Sequence, residues 1–152
     1  MMSRAAVAES DATYNAVIAA YKAMRRSIAE ELSNEDLTPP QFSVLRMLAK
    51  KGALPMNRIS QDMLVTPPNI TGLIDRLESN KLVRRGASEE DRRAIMIELT
   101  PEGKKVQAAV AKRYNEFMRD VLHKFTHDEQ RTLRTLLTKL EEQILLRRRK
   151  KE

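Results

Sequence analysis

The chain has no cysteine and no tryptophan, only four glycines, and three tyrosines and three phenylalanines in 152 residues. Each absence removes a class of protein. Without cysteine there is no disulfide, no thiolate zinc site and no sulfenic-acid chemistry, so redox control through a thiol is excluded. With aromatics at 4%, the core expected is a helical one packed from Leu, Ile, Met and Ala rather than an aromatic-rich sandwich. No apolar run approaches the roughly 20 residues that span a bilayer, and the N-terminus carries no basic-then-apolar export signal. The expectation is a soluble, cytoplasmic protein with no membrane partner. No Gly/Ser linker and no internal repeat divides it, and its length suits a single domain-sized unit.

Catalytic and metal chemistry are missing in the same way. No Ser-His-acid set, phosphate-cradling glycine loop or carboxylate cluster stands out, so the chain reads as a non-enzyme without cofactor. The two histidines, His123 and His127, are four apart, a spacing that on one helix can hold a metal. Thr126 interrupts that helix, and no third Cys or His completes a site. No metal is expected.

What is present is charge and helical patterning. The net charge is +7, which suits an anionic partner. Arg147 to Lys151 and Glu152 account for most of it, leaving +3 on residues 1–146, and Pro55 to Thr100 holds seven bases and seven acids. Bulk charge therefore does not establish DNA binding; the direction of particular arginines must. The tail is equally a solubilising helix end whose cations suit the C-terminal dipole.

Apolar residues at Val17, Tyr21, Met24, Ile28 and Leu32 stripe a first helix from about Ser10 to Leu32. Thr38 and Pro39 cap and begin a second, buried helix that ends at Lys50-Lys51-Gly52, with Gly52 available for a left-handed cap. A short helix over Asn57 to Leu64 follows, with Ile59, Met63 and Leu64 turned inward. Thr66 and Pro67 then start a helix that runs to about Asn80, its inward stripe being Ile70, Leu73, Ile74 and Leu77. Leu82-Val83-Arg84 and Ile95 to Leu99 read as strands around a polar loop, Arg85 to Arg93. Thr100-Pro101 starts a long helix striped by Val106, Val110, Tyr114, Phe117, Val121 and Phe125, and the Thr126/Glu129 capping box starts the last, striped by Leu133, Leu136, Leu137, Leu140 and Ile144. The fold class expected is mainly α (α+β). A winged helix-turn-helix lobe spans residues 37–100, and a helical dimerisation region is built from both chain ends, 1–36 and 101–152, whose surplus apolar surface calls for a second copy, a homodimer.

Two helices joined by a tight turn match a helix-turn-helix, whose second member lies in the major groove. On the helix from Thr66, the face away from the apolar stripe carries Pro68, Asn69, Thr71, Gly72, Asp75 and Arg76. Asn69 can pair with adenine, Thr71 can meet a thymine methyl or a phosphate, and Arg76 can reach a phosphate or a guanine. From spacing alone, a plain amphipathic helix with a solvated face explains the pattern equally well. The wing adds weight: Arg84 and Arg85 stand at its start, Arg92 and Arg93 at its end, on a hairpin narrow enough for a minor groove. Asp91 can pair with one arginine and aim it. A surface hairpin with cancelling charges is the alternative, and Glu89 and Glu90 support it.

The stretches Leu37-Thr38-Pro39-Pro40-Gln41-Phe42-Ser43-Val44-Leu45, Leu73-Ile74-Asp75-Arg76-Leu77-Glu78, Leu82-Val83-Arg84-Arg85, and Asp91-Arg92-Arg93 with Leu99-Thr100-Pro101-Glu102-Gly103 resemble the MarR family of winged-helix transcriptional regulators, over about residues 10 to 146. The resemblance implies a homodimer on a pseudo-palindromic stretch of double-stranded DNA, and the reading adopted is a transcriptional repressor that occupies a promoter. It places Thr66, Pro68, Asn69, Thr71 and Arg76 in the major groove and Arg92 and Arg93 at the wing. Pro67-Pro68 departs from the small polar residues common there, removing two backbone donors. The resemblance also implies a cleft for a small anionic or phenolic effector, which Tyr14, Tyr21, Lys22, Arg25, Arg26 and Met47 can line; taken singly, each is better explained as a tyrosine of the dimer core or a solvated base. The rival reading is a winged-helix protein-interaction module, supported by the neutral winged segment.

Overall fold

The structure is a computed structural model that describes residues 4–87 and 94–150. In chain order it contains α1 (Arg4–Leu32), a single 3₁₀ turn (Ser33–Glu35), α2 (Pro39–Lys51), β1 (Leu54–Pro55), α3 (Met56–Met63), α4 (Pro67–Ser79), β2 (Val83–Ala87), β3 (Ile95–Leu99), α5 (Pro101–Leu122) and α6 (His127–Arg149). The strands form one antiparallel sheet in the order β1-β3-β2. Contacts divide the chain within α5, into Met1–Tyr114 and Asn115–Glu152. The fold is mainly helical with a small winged sheet, as the patterning predicts.

In the first unit, period-3.6 stripes on the helices and Ile97 of β3 meet in one core. Val44, Leu45, Ile59, Ile74, Leu77 and Ile97 are fully buried. Leu32 from α1 and Val110 from α5 also enter this core, so the chain ends contribute to the winged lobe itself. Gln41 is buried beside α2's start, where its Oε1 accepts from the Thr38 N–H at 2.7 Å. That bond satisfies a donor at the helix mouth. Asp62 of α3 ties down the end of α2: the Lys51 Nζ bond at 2.7 Å, aided by Arg58, holds its carboxyl below the usual carboxylate range against the opposing pull of desolvation.

The densest junction follows β3. The Thr100 N–H donates to Leu82 O at 3.1 Å, and its hydroxyl donates to Lys81 O at 2.6 Å while accepting from the Gly103 N–H at 2.9 Å. A Cβ built on Gly103 would stand 1.8 Å from Leu82 O. Only glycine lets the first turn of α5 lie against the chain that leaves α4.

Several expectations need correction. α1 begins at Arg4, not near Ser10, because Ala-rich sequence continues the helix. Leu64 was expected inward but is 69% exposed. It closes α3 in a left-handed conformation, φ 54°, while the Ser60 hydroxyl bonds Val65 O at 2.7 Å, so Val65 and not Leu64 turns to the core. Gly52 has a positive φ of 79° but ψ −159°, outside the left-handed helical region, and the chain enters β1 directly. β1 itself was unforeseen; it is two residues long, pairing Leu54 with Ile97 and Pro55 with Met96. Arg85 belongs to a strand rather than a loop, opposite Ile97.

In the second unit the Thr126/Glu129 capping box forms: Thr126 N–H donates to Glu129 Oε2 at 2.8 Å and Glu129 N–H returns to Thr126 Oγ1 at 3.2 Å. The Thr126 backbone bond, then its hydroxyl, hold Glu129 below the ordinary carboxylate range. Phe125 is not part of α5, which ends at Leu122; Gln130 Nε2 caps Leu122 O and Phe125 O, both at 3.1 Å.

Replacing Gly103 by Ala is expected to cost about 2–3 kcal/mol, since backbone rather than a flexible side chain must move. Urea unfolding checks this; an unchanged midpoint would remove the junction's claimed tightness.

Candidate nucleic-acid interface

The turn between α3 and α4 is held from beneath. Besides the Ser60 hydroxyl bond, Val65 N–H donates to Ser60 O at 3.1 Å and Leu64 N–H to Gln61 O at 3.1 Å. α4 then starts with prolines at its first two positions, where preset φ favours a helix and the missing N–H groups are ones that would have been unpaired. Thr66, expected to cap with its side chain, makes no such bond. One of the two donors such a side chain serves is missing, because Pro68 has no N–H, while the Thr66 carbonyl accepts the Ile70 N–H at 3.1 Å as the first bond of the helix.

Ile70, Ile74 and Leu77 bury one face of α4 and so fix its opposite face outward. Thr66, Pro68, Asn69, Thr71 and Arg76 are all exposed, which leaves the five residues expected at the groove accessible at the start and outer side of α4. The Thr71 hydroxyl donates to Pro67 O at 3.0 Å. Asn69 and Arg76 side chains have no hydrogen-bond or ion-pair partner among the described residues.

The arginines of the wing behave differently from one another. Arg84 points into solvent and pairs with Glu98 across the ladder at 2.7 Å. Arg85 is turned back: its Nη2 meets Asp75 Oδ1 at 2.5 Å, its Nη1 pairs with Glu78, and its backbone N–H reaches Glu78 Oε1 at 3.3 Å. The Asp75 bond, outweighing desolvation and reinforced by Glu78, raises its pKa still further, so it is charged at every working pH. Arg85 thereby braces the wing strand against α4 rather than standing free beside it. Sequence reading missed this tie, although Asp75 and Glu78, one turn apart on α4, were its legible half. Asp91, Arg92 and Arg93 lie outside the described residues.

The residues proposed for a cleft disperse. Tyr21 and Arg25 line a hollow of about 330 Å³ with Met24, Ile28, Pro39, Pro40, Ser43, Met63 and Val65. Met47 lines a different one, with Arg46, Lys50 and Lys51. Tyr14, Lys22 and Arg26 are exposed and line neither. His123 sits in the turn after α5, with its Nδ1 2.5 Å from Asp120 O, and His127 opens α6. No metal-ligating cluster occurs among the described residues.

A family model described as the MarR family matches residues 37–95. The HTH-type transcriptional regulator YsmB of Bacillus subtilis is 34% identical over 115 residues, which are 76% of this chain and 79% of that protein. The HTH-type transcriptional repressor MdtR of the same species is 35% identical over 85 residues, 56% of this chain and 55% of the relative. Among solved structures, a mutant MarR from E. coli complexed with operator DNA superimposes with a TM-score of 0.80, covering 87% of this chain and 95% of its own at 24% identity, and so attests the fold. With its helix-turn-helix, its three-stranded winged sheet and these relatives, the chain belongs to the MarR family of winged-helix, DNA-binding transcriptional regulators.

Proposed function

We propose that the chain works as a homodimeric repressor on a pseudo-palindromic operator. Residues 37–100 form the DNA-binding lobe, and residues 1–36 with 101–152 form the dimerisation region. The observation that carries the DNA surface is the outward face of α4, where Asn69 and Arg76 are exposed with no partner among the described residues while the face behind them is buried. Free amide and guanidinium groups on a rigid helix are the donors that base edges and phosphates accept. Two such helices roughly 34 Å apart match consecutive major grooves. Arg92 and Arg93 serve the flanking minor grooves. Repression by occupying a promoter is the reading favoured by MdtR, a relative named as a repressor.

The dimer is supported by apolar side chains that this chain alone leaves in water. Leu136 is 59% exposed and Ile144 53%, with Leu133, Leu137 and Leu140 beside them on α6; Tyr14 and Tyr21 are exposed on α1. Surface of this kind is stable when a second copy covers it. The hollow holding Tyr21 and Arg25 supports a small anionic or phenolic effector, the phenol donating a hydrogen bond and the guanidinium meeting a carboxylate. An effector that tilts either lobe changes the spacing of the two helices and with it the affinity.

Binding to a duplex from the chain's own upstream region, titrated over salt, tests the assignment. Arg76→Ala is expected to weaken binding and to reduce the slope of log K against log salt by about 0.9, as one phosphate contact is lost. Arg85→Ala is expected to keep the slope and instead lower the melting temperature, because its partners are Asp75 and Glu78. The reverse pattern would move Arg85 to the DNA. Loss of sequence preference in Arg92→Ala/Arg93→Ala is expected too; full retention would leave the wing without a role. For the dimer, Leu136→Glu/Ile144→Glu should give a folded monomer by light scattering and weaken operator binding by about 100-fold or more through lost bivalency. A variant that stays dimeric would place the interface elsewhere.

A further inference from the structure

The crest of α4, the line directly opposite its buried Ile70, Ile74 and Leu77, is bare. At helical spacing that line is Pro68, Gly72, Asp75 and Ser79. Pro68 has no N–H and a short apolar ring. Gly72 has no side chain. The third member, Asp75, has its carboxylate drawn aside by Arg85 at 2.5 Å. The polar groups stand on the two flanks instead, with Asn69 and Arg76 on one and Thr71 on the other.

The fold gives no reason for glycine at position 72. Its φ is not positive, as Gly52 is the one glycine with that conformation, and a Cβ there would meet nothing within 4 Å. Gly103 makes the contrast, since a Cβ at that position would collide with Leu82 O. A glycine in an exposed helix interior weakens the helix relative to alanine. A helix that gives up stability at an open position, in the middle of its outermost ridge, is shaped for something that approaches from outside.

We infer that Gly72 sets the depth at which α4 enters the major groove: the absent side chain lets the helix backbone approach the base edges, so that Asn69, Thr71 and Arg76 reach sideways from a seated helix. This rests on the DNA-binding reading above and adds a steric determinant to it. The groove floor packs against the bare crest at Pro68 and Gly72, where apolar contact with thymine methyl groups is available.

The test uses the full-length protein and a duplex that the unmodified chain enriches from a random-sequence library. Gly72→Ala is expected to melt a few degrees higher than the parent, because alanine favours the helix and meets no neighbour. Its affinity for the selected duplex is expected to fall about tenfold or more, since one methyl is forced into a close-packed contact. The two effects have opposite sign, which a purely structural role for Gly72 cannot produce. Equal affinity of Gly72→Ala and parent for the selected duplex would overturn the inference and leave the DNA reading intact. A lower melting temperature would also overturn it, by showing that the fold itself requires glycine here. If no duplex is enriched, the DNA reading fails and this inference fails with it.

Discussion

The contact between Gly103 and the Leu82 carbonyl holds the winged lobe in register. Three elements that would otherwise drift meet there: the chain leaving α4, the end of β3 and the first turn of α5. The Thr100 hydroxyl donates to Lys81 O and accepts from Gly103, so one side chain bonds the outgoing strand's neighbour and caps the incoming helix. A methyl group at position 103 has no space, with backbone carbonyl 1.8 Å away. Backbone does not yield as a side-chain tip would, and this tightness fixes where β2 begins and hence where the wing leaves α4.

From that fixed point, charge completes what packing begins. Arg85 leaves β2 and returns to Asp75 and Glu78 on α4, coupling the wing strand to the helix proposed to enter the groove. The neutral total of the winged segment then has a physical meaning. Among the described residues, Asp75 and Glu78 orient one arginine, and Glu98 engages another. Asn69 and Arg76, the groups on α4 without a partner among the described residues, are ones whose chemistry a duplex can use. A segment with no net charge can bind a polyanion when its negative charges are internally paired and turned aside.

Much of this was legible in the chain. Thr38-Pro39, Thr66-Pro67, Thr100-Pro101 and Thr126 with Glu129 mark helix starts within a residue or so, because proline's fixed φ acts locally and, at Thr100 and Thr126, so does a threonine oxygen. The buried stripe Ile70, Ile74, Leu77 follows from period alone, and it determines by exclusion which residues face out. Less legible were the features that depend on distant partners. β1 exists only because β3 passes beside it; two residues carry no periodicity. Leu64 reads as apolar and therefore inward, yet the Ser60–Val65 bond spends the turn's geometry on Val65. The cleft residues could be named by chemistry, but only Tyr21 and Arg25 share a hollow, since helix phase sends Lys22 and Arg26 to other faces of α1.

The sequence by itself determined the helix order, the outward face of α4 and the absence of thiol chemistry, since caps, periodicity and residue type act over a few positions. Tertiary structure decided which arginine is free and which is bound. It also decided that the fold requires glycine at 103 and does not require it at 72. Those distinctions depend on what stands within a few ångströms in space, and no local pattern encodes a neighbour that arrives from elsewhere in the chain.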